Sequence, residues 1–399
     1  MKDMRRKGFT IVELVIVIAV IAVLAAVLIP TFVNVTKKAN MSADQQAVRQ
    51  MNMVLASEDI DTFEEAVAAL SNAGYNALDS LVPVSTGHTF WWVEEYNSIV
   101  LLNENDEVVF ASNKDAKENF LEARTAGKAF NLKRGLPGKE ITNVEDARVA
   151  LEKGQSITLK ADLNLGLNEI KISKGEDVVI DLGGNKITVS STNTGDKEKQ
   201  RSKYAIENHG TITIKNGTIE GRGIGNYGTM YIGEGVKINS VDYNGGSGVW
   251  NYASGNLTIT GGTFTAVNDG YEVTQGSSAI ANDGGTILIT GGTFIGNGTV
   301  YTVNNYAGKM TIEGGTFTGK RGGIAVNGGE VVIKGGTITS NQKDSAYAIY
   351  VGSGQLAIND AVVVDNVAGG YDLCVESGTI NLGSKWIAAE GTKYYNYNK

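Results

Sequence analysis

One carboxylate, Glu13, stands inside an otherwise uncharged run of 21 residues from Phe9 to Ile29. A charge near the start of a membrane-spanning stretch costs about 2.5 to 3.5 kcal/mol on insertion scales, so such a residue marks function and has a partner. A cut after Gly8 would supply one. Phe9 would gain a free α-amino group, and a carboxylate four residues along the same helix is well placed to attract such an amine on a neighbouring copy. The chemistry implied is ionic docking between subunits within an apolar environment.

The rest of the chain offers little for catalysis. Asp181, Asp242, Asp269, Asp283 and Asp344 are scattered, with no two in one repeat column, so the clustered carboxylates that cleave acidic polysaccharides on related scaffolds are missing. The calcium-binding nonapeptide of parallel β-rolls is absent as well, and neither metal nor cofactor is expected. With His88, which reads as a turn residue, and His209 as its two histidines, the chain has few imidazoles for acid–base work. Cys374, the single cysteine, excludes an intrachain disulfide and reads as a buried or semi-buried thiol between Leu373 and Val375. A sharper candidate is the column His209, Tyr227, Tyr252, Asp283 and Tyr306, in which every member follows an Asn. Tyr227, Tyr252 and Tyr306, in register on one edge, are candidates for stacking against sugar rings, with ordinary ladder packing as the alternative.

Residues 1–8 hold Lys2, Arg5, Arg6 and Lys7 against Asp3, which keeps them on the cytoplasmic side of a membrane. Removing them takes the net charge from −8 to −11, and no basic surface remains for nucleic acid. At about 1.5 Å per residue the apolar run is roughly 31 Å long as a helix, enough to cross a bilayer core of about 30 Å. No pair of alanines two apart stands between Phe9 and Asn40, so the small-residue site of an ordinary secretory signal is missing. Pro30, without an N–H, is expected to bend or loosen the helix where the run ends. Beyond it Phe32, Val35, Ala39, Ala43, Ala47, Met51 and Leu55 recur at three- or four-residue steps, so an amphipathic helix continues to about Leu55.

The sequence Lys7-Gly-Phe-Thr-Ile-Val-Glu13, followed by apolar residues and Pro30, resembles the class III signal of type IV prepilins and type II secretion pseudopilins. The resemblance covers residues 1 to about 55. It implies cleavage between Gly8 and Phe9 by a prepilin peptidase, N-methylation of Phe9, and a role for Glu13 in docking to other pilin-like subunits. It also implies a long helix laid across a small antiparallel sheet.

Local signals agree with such a head at 56–114. Thr62 and Glu65 form a capping box for a short helix with Phe63, Val67 and Leu70 on one face and Gly74 as its stop. Runs at 89–93, 98–102 and 107–110, separated by tight polar turns, predict an antiparallel meander. Trp91 and Trp92 must point to opposite faces of it, so at most one lies under the helix. Residues 115–142 have weak periodicity and read as a linker, with a boundary at Arg134-Gly135-Leu136-Pro137-Gly138.

After it comes self-similarity. Ile212-Thr-Ile-Lys-Asn-Gly-Thr-Ile219 returns as Leu257-Thr-Ile-Thr-Gly-Gly-Thr-Phe264 and again from Ile287, Met310 and Val331. Asn208, Asn226, Asn251, Asn282, Asn305 and Asn327 precede these blocks at irregular intervals, which excludes a hexapeptide solenoid and fits three strands per coil with elastic loops. Residues 143–399 therefore read as a capped, right-handed parallel β-helix, similar to pectin-lyase-like solenoids. Some nine coils at about 4.8 Å give a rod about 43 Å long. A helix from Val144, capped by Asn143, would close its first end. Phe264, Phe294 and Phe317 are expected as an interior stack, and the Asn column in turns with left-handed backbone. The reading as a whole is a subunit processed after Gly8, single-pass in the cytoplasmic membrane before assembly and extracellular in a filament afterwards. Its β-helix would serve adhesion to a glycan or host surface, or spacing. The rival is a membrane-anchored extracellular polysaccharide lyase or hydrolase on a β-helix scaffold.

Overall fold

The computed structural model describes residues 11–75, 78–135, 138–152, 154–190, 204–240, 247–266, 278–297, 300–341, 347–366, 371–389, 391 and 393–398. Side chains at 11–14, 16, 17, 23–25, 27, 78 and 79 fall outside that description. Two compact units divide between Leu136 and Pro137.

In the first unit, helix α1 (Ile11–Leu55) is continuous through Pro30. Its sequence changes character along its length, and so does its surroundings. Ile18, Ile21, Leu28, Ile29 and Val35 are exposed, and Phe32 is 73 % exposed, whereas Val48, Met51 and Leu55 are buried. The buried half lies on a four-stranded sheet ordered β3-β2-β1-β4, made of β1 (Thr89–Val93), β2 (Ser98–Leu102), β3 (Val108–Ala111) and β4 (Ala129–Asn131). Polar side chains lock the helix to the head. The Asp44 carboxylate accepts from the backbone N–H groups of Val84 and Ser85 at 2.7 and 2.9 Å. The Asn52 amide exchanges two bonds with the Ile99 backbone at 2.6 and 3.0 Å. Helix α2 (Phe63–Asn72) starts at the expected Thr62–Glu65 capping box, and Trp92 packs beneath α1 with Phe63, Leu70 and Leu101.

The expected linker at 115–142 is not one. Short helices at Lys114–Glu118 and Phe120–Thr125 cover the far face of the sheet, where Trp91 is buried with Phe120 and Ala123. β4 pairs antiparallel with β1, and Lys139–Ile141 pairs with Ile157–Leu159 in the second unit. Elements of three to six residues are too short to show a period, which is why the segment looked unstructured. The sheet needed this cover, because both of its faces are apolar.

The second unit is a parallel β-helix with three strands per coil. Its first strand row carries Ile170, Ile206, Ile224, Val249, Ile280, Val303, Ile324, Ile349 and Leu373 in one register, all buried. Alternation puts Leu257 and Ile259 inside, as their spacing predicts. The Phe264, Phe294 and Phe317 rings stack in the core at 4.9 and 4.7 Å. Each second glycine of the recurrent Gly-Gly turns has a positive φ, 95° at Gly262 and 106° at Gly292, which a side chain would strain. The helix Val144–Glu152 buries Ala147, Ala150 and Leu151 in the first coils, and Asn143 caps it by accepting from the Asp146 N–H at 2.9 Å. A C-terminal antiparallel hairpin, Trp386–Ala388 with Tyr394–Tyr397, covers the last coil.

The Asn column departs from expectation. Asn208, Asn226, Asn251, Asn282 and Asn305 lie in extended strands, fully buried, and none has positive φ. Their amides form an internal ladder: each Nδ2 donates to the Oδ1 of the next, at 2.7, 2.7, 2.9 and 2.7 Å. Inward amides satisfy one another and the neighbouring carbonyls, so no turn is required. Asn327 is outside the ladder. Val326 takes the register opposite Asn305, and Asn327 bonds Asn304 instead.

Candidate functional site

Gly8 and Phe9 lie outside the described residues, and Glu13 is placed only as a backbone position in the third residue of α1. What the structure adds there is surface. Among the described side chains, those of the apolar half of α1 are exposed, and a helix apolar on its exposed sides is a surface made to be buried. Among the described residues, no helix is long and apolar enough to cross a membrane.

In the β-helix, alternation sends the residues flanking each ladder Asn outward. The rows are Glu207 and His209, Gly225 and Tyr227, Trp250 and Tyr252, Ala281 and Asp283, then Asn304 and Tyr306. Three of the five predicted column members come together: His209 stacks on Tyr227 at 4.7 Å and Tyr227 on Tyr252 at 4.1 Å, with planes within 6°. A bulge at Tyr252, opposite both Asp283 and Gly284, interrupts the column. Tyr306 stacks on Trp250 instead, at 5.9 Å and 15°.

Residues outside the predicted column complete the face. The Tyr204 hydroxyl is 2.9 Å from that of Tyr252, and the Arg222 guanidinium lies 4.2 Å over the Tyr204 ring. A Cβ at Gly225 would come within 2.6 Å of that ring, so glycine makes room for it. The sequence signal was present: Tyr204, Tyr301, Tyr347 and Tyr371 each stand two residues before the first inward aliphatic of a coil. Trp250 was legible from alternation alone, one place before Asn251.

Electrostatics here favour hydrogen bonding over proton abstraction. Burial pushes the Tyr204 and Tyr227 phenols well above their ordinary range, and the Tyr204–Tyr252 and Tyr227–Tyr252 hydrogen bonds act in the same direction. Tyr306 is raised by burial and then by the Asp283 charge. Burial also works to raise Glu207. Hydrogen bonds from His209 at 2.8 Å and Lys171 at 3.3 Å overcome it and leave that carboxyl below its usual value. Asp242, Asp269 and Asp344 lie outside the described residues, and among those described no cluster of carboxylate, histidine and cysteine could hold a metal ion. Cys374 is a buried free thiol, and burial raises it first of all.

A family model described as the prokaryotic N-terminal methylation motif matches residues 3–29. The type IV major fimbrial protein FimA of Dichelobacter nodosus is 33 % identical over 84 residues, 21 % of this chain and 54 % of that protein. The narrow pilus major component of Thermus thermophilus is 49 % identical over 49 residues, 12 % of this chain and 42 % of its own length. The wide pilus major component of the same organism is 65 % identical over 34 residues, 8 % and 26 %. The chain thus spans about half or less of the length of these curated relatives. No solved structure matches. The N-terminal segment of this protein carries the prokaryotic N-terminal methylation motif and is homologous to type IV pilins.

Proposed function

We propose that this chain is a prepilin-type subunit, cut after Gly8 by a prepilin peptidase, N-methylated on Phe9, and assembled through α1 into a type IV pilus-like or pseudopilus filament. The methylation motif at 3–29 carries this reading. The exposed apolar side chains of α1 support it, because a filament core of parallel helices buries that surface. Before assembly the run from Phe9 to Ile29 holds the subunit in the cytoplasmic membrane. Afterwards residues 137–399 stand outside the cell as a rigid module for adhesion or spacing. Mass spectrometry of the N-terminal peptide from sheared surface material tests the reading. A methylated Phe9 start is expected, and an intact Met1 or a start near residue 40 refutes it.

A further inference from the structure

We infer that the outward face formed by Tyr306, Trp250 and Asp283 is a binding site for a neutral pyranose glycan. The inference rests on the display reading above and gives that reading a ligand class.

The distribution of outward side chains sets this face apart. On the strand row that carries the Phe stack inside, the outward positions of four successive coils are Thr263 and Thr265, Thr293 and Ile295, Thr316 and Thr318, Thr337 and Thr339. Solvated sheet faces are ordinarily built this way. On the first row the outward positions include Tyr227, Trp250, Tyr252, Tyr306 and Tyr350, alongside Glu207, Gly225, Ala281, Asn304 and Ala325. The interior columns already fix the register, so these rings are not required to hold the coils together.

Ring faces decide where a sugar fits. Tyr227 is covered on both sides by His209 and Tyr252 and has no face to offer. Tyr306 is 42 % exposed and rests one face on Trp250, which fixes its orientation. A ring held in that way presents a flat apolar platform to the C–H face of a pyranose. Asp283 is exposed in the preceding coil, close enough for its charge to act on the Tyr306 hydroxyl. Its carboxylate is an acceptor for a pair of sugar hydroxyls. An exposed carboxylate beside an aromatic platform is a constellation for a polyhydroxylated ring. Ala281, Gly284 and Ala307 keep the surroundings low.

Neutral rather than acidic sugar follows from the charges. The Asp283 carboxylate repels an acidic ring, and among the described residues Lys171 is engaged by Glu169 and Glu207 while Arg222 lies on Tyr204. Chain length points to the same face. The connection leading into each first-row strand varies from two residues, 222–223, to 17, residues 189–205, whereas the other two connections of a coil never exceed four. In repeat proteins such insertions map to loops on one face, often the binding face.

Titrating the detergent-solubilised full chain with four neutral hexamers, cellohexaose, mannohexaose, xylohexaose and chitohexaose, and with hexagalacturonate as the acidic comparison tests the site. At least one of the four is expected to bind, with Tyr306→Ala and Asp283→Ala each weakening it about tenfold or more and Thr318→Ala, on another face, leaving it unchanged. Circular dichroism of each variant separates loss of the site from loss of the fold. Absence of binding to all four at millimolar concentration, binding of hexagalacturonate alone, or unchanged affinity in correctly folded Tyr306→Ala and Asp283→Ala would overturn the inference. None of these measurements involves Phe9 or Glu13, so failure here leaves the filament reading standing, and the converse holds.

Discussion

Replacing Asn251 by Ala probes the amide ladder at its centre. The Asn251 Oδ1 accepts from Asn226 at 2.7 Å, and its Nδ2 donates to Asn282 Oδ1 at 2.9 Å, to Gly255 O at 3.1 Å and to Thr286 O at 3.3 Å. In the alanine variant Asn226 keeps a bond to Asn256 O, and Gly255 O keeps the Thr286 N–H. Asn282 Oδ1 loses its donor in a fully buried position. A buried acceptor left unpaired costs about 1 to 3 kcal/mol, and the lost Asn226 bond adds about 1, so a destabilisation of about 3 kcal/mol is expected. Asn327→Ala is the control. It lies outside the ladder and half-buried, and its replacement removes one longer bond, the 3.2 Å donation to the buried Asn304 Oδ1, so its loss should cost about 1 to 2 kcal/mol, less than at Asn251. Urea unfolding of the solubilised chain, followed by far-ultraviolet circular dichroism, measures both. If Asn251→Ala costs no more than Asn327→Ala, the ladder contributes nothing specific and the account of the buried column fails.

Phe294→Ala removes the middle ring of the interior stack and leaves a cavity between Phe264 and Phe317; a loss of about 3 to 5 kcal/mol is expected from the same unfolding curves. Because the folded Glu207 carboxyl sits below its ordinary value of 4.5, its contribution is present above that pH and is lost as pH falls through the folded value. Glu207→Gln should therefore be less stable than the parent at neutral pH, with the difference closing below 4.5, and a pH-independent difference would show that the pairing with His209 and Lys171 is not the cause. Glu13→Ala is expected to leave cleavage after Gly8 intact and to reduce incorporation into filaments, read by immunoblot of sheared surface fractions against whole cells; unchanged incorporation would remove the docking role.

Strong local periodicity made most of the fold readable. The capping box at Thr62, the meander at 89–111 and the interior Phe stack each follow from a spacing that a few residues suffice to show. Two features were hidden for different reasons. The covering helices at 114–125 are shorter than two turns and carry no amphipathic repeat, and only the apolar far face of the sheet, with Trp91, demanded that something cover it. The Asn column was visible as a column, but its direction was not, because Asn is common both in turns and in ladders. Parity decides it. Counting back two places from each Asn reaches Ile206, Ile224, Val249, Ile280 and Val303, all inward, so the Asn must point inward too. The same parity puts Tyr227, Trp250 and Tyr306 outside. The N-terminal site was legible from sequence because it depends on order along one chain: an acid four places after a residue that a single cut would turn into an amine.

The interior explains why the aromatic face lies where it does. Each coil must return its inward residues to columns set by the coil before it, and two of its three connections are held to four residues or fewer. Length can then change only at the third, and whatever lengthening occurs there leaves the stacked Phe and Asn columns undisturbed. Rings on the row that follows this connection can be rearranged without cost to the core, as the bulge at Tyr252 and the shift of Tyr306 onto Trp250 already show. A surface free to vary on a scaffold that cannot is suited to binding.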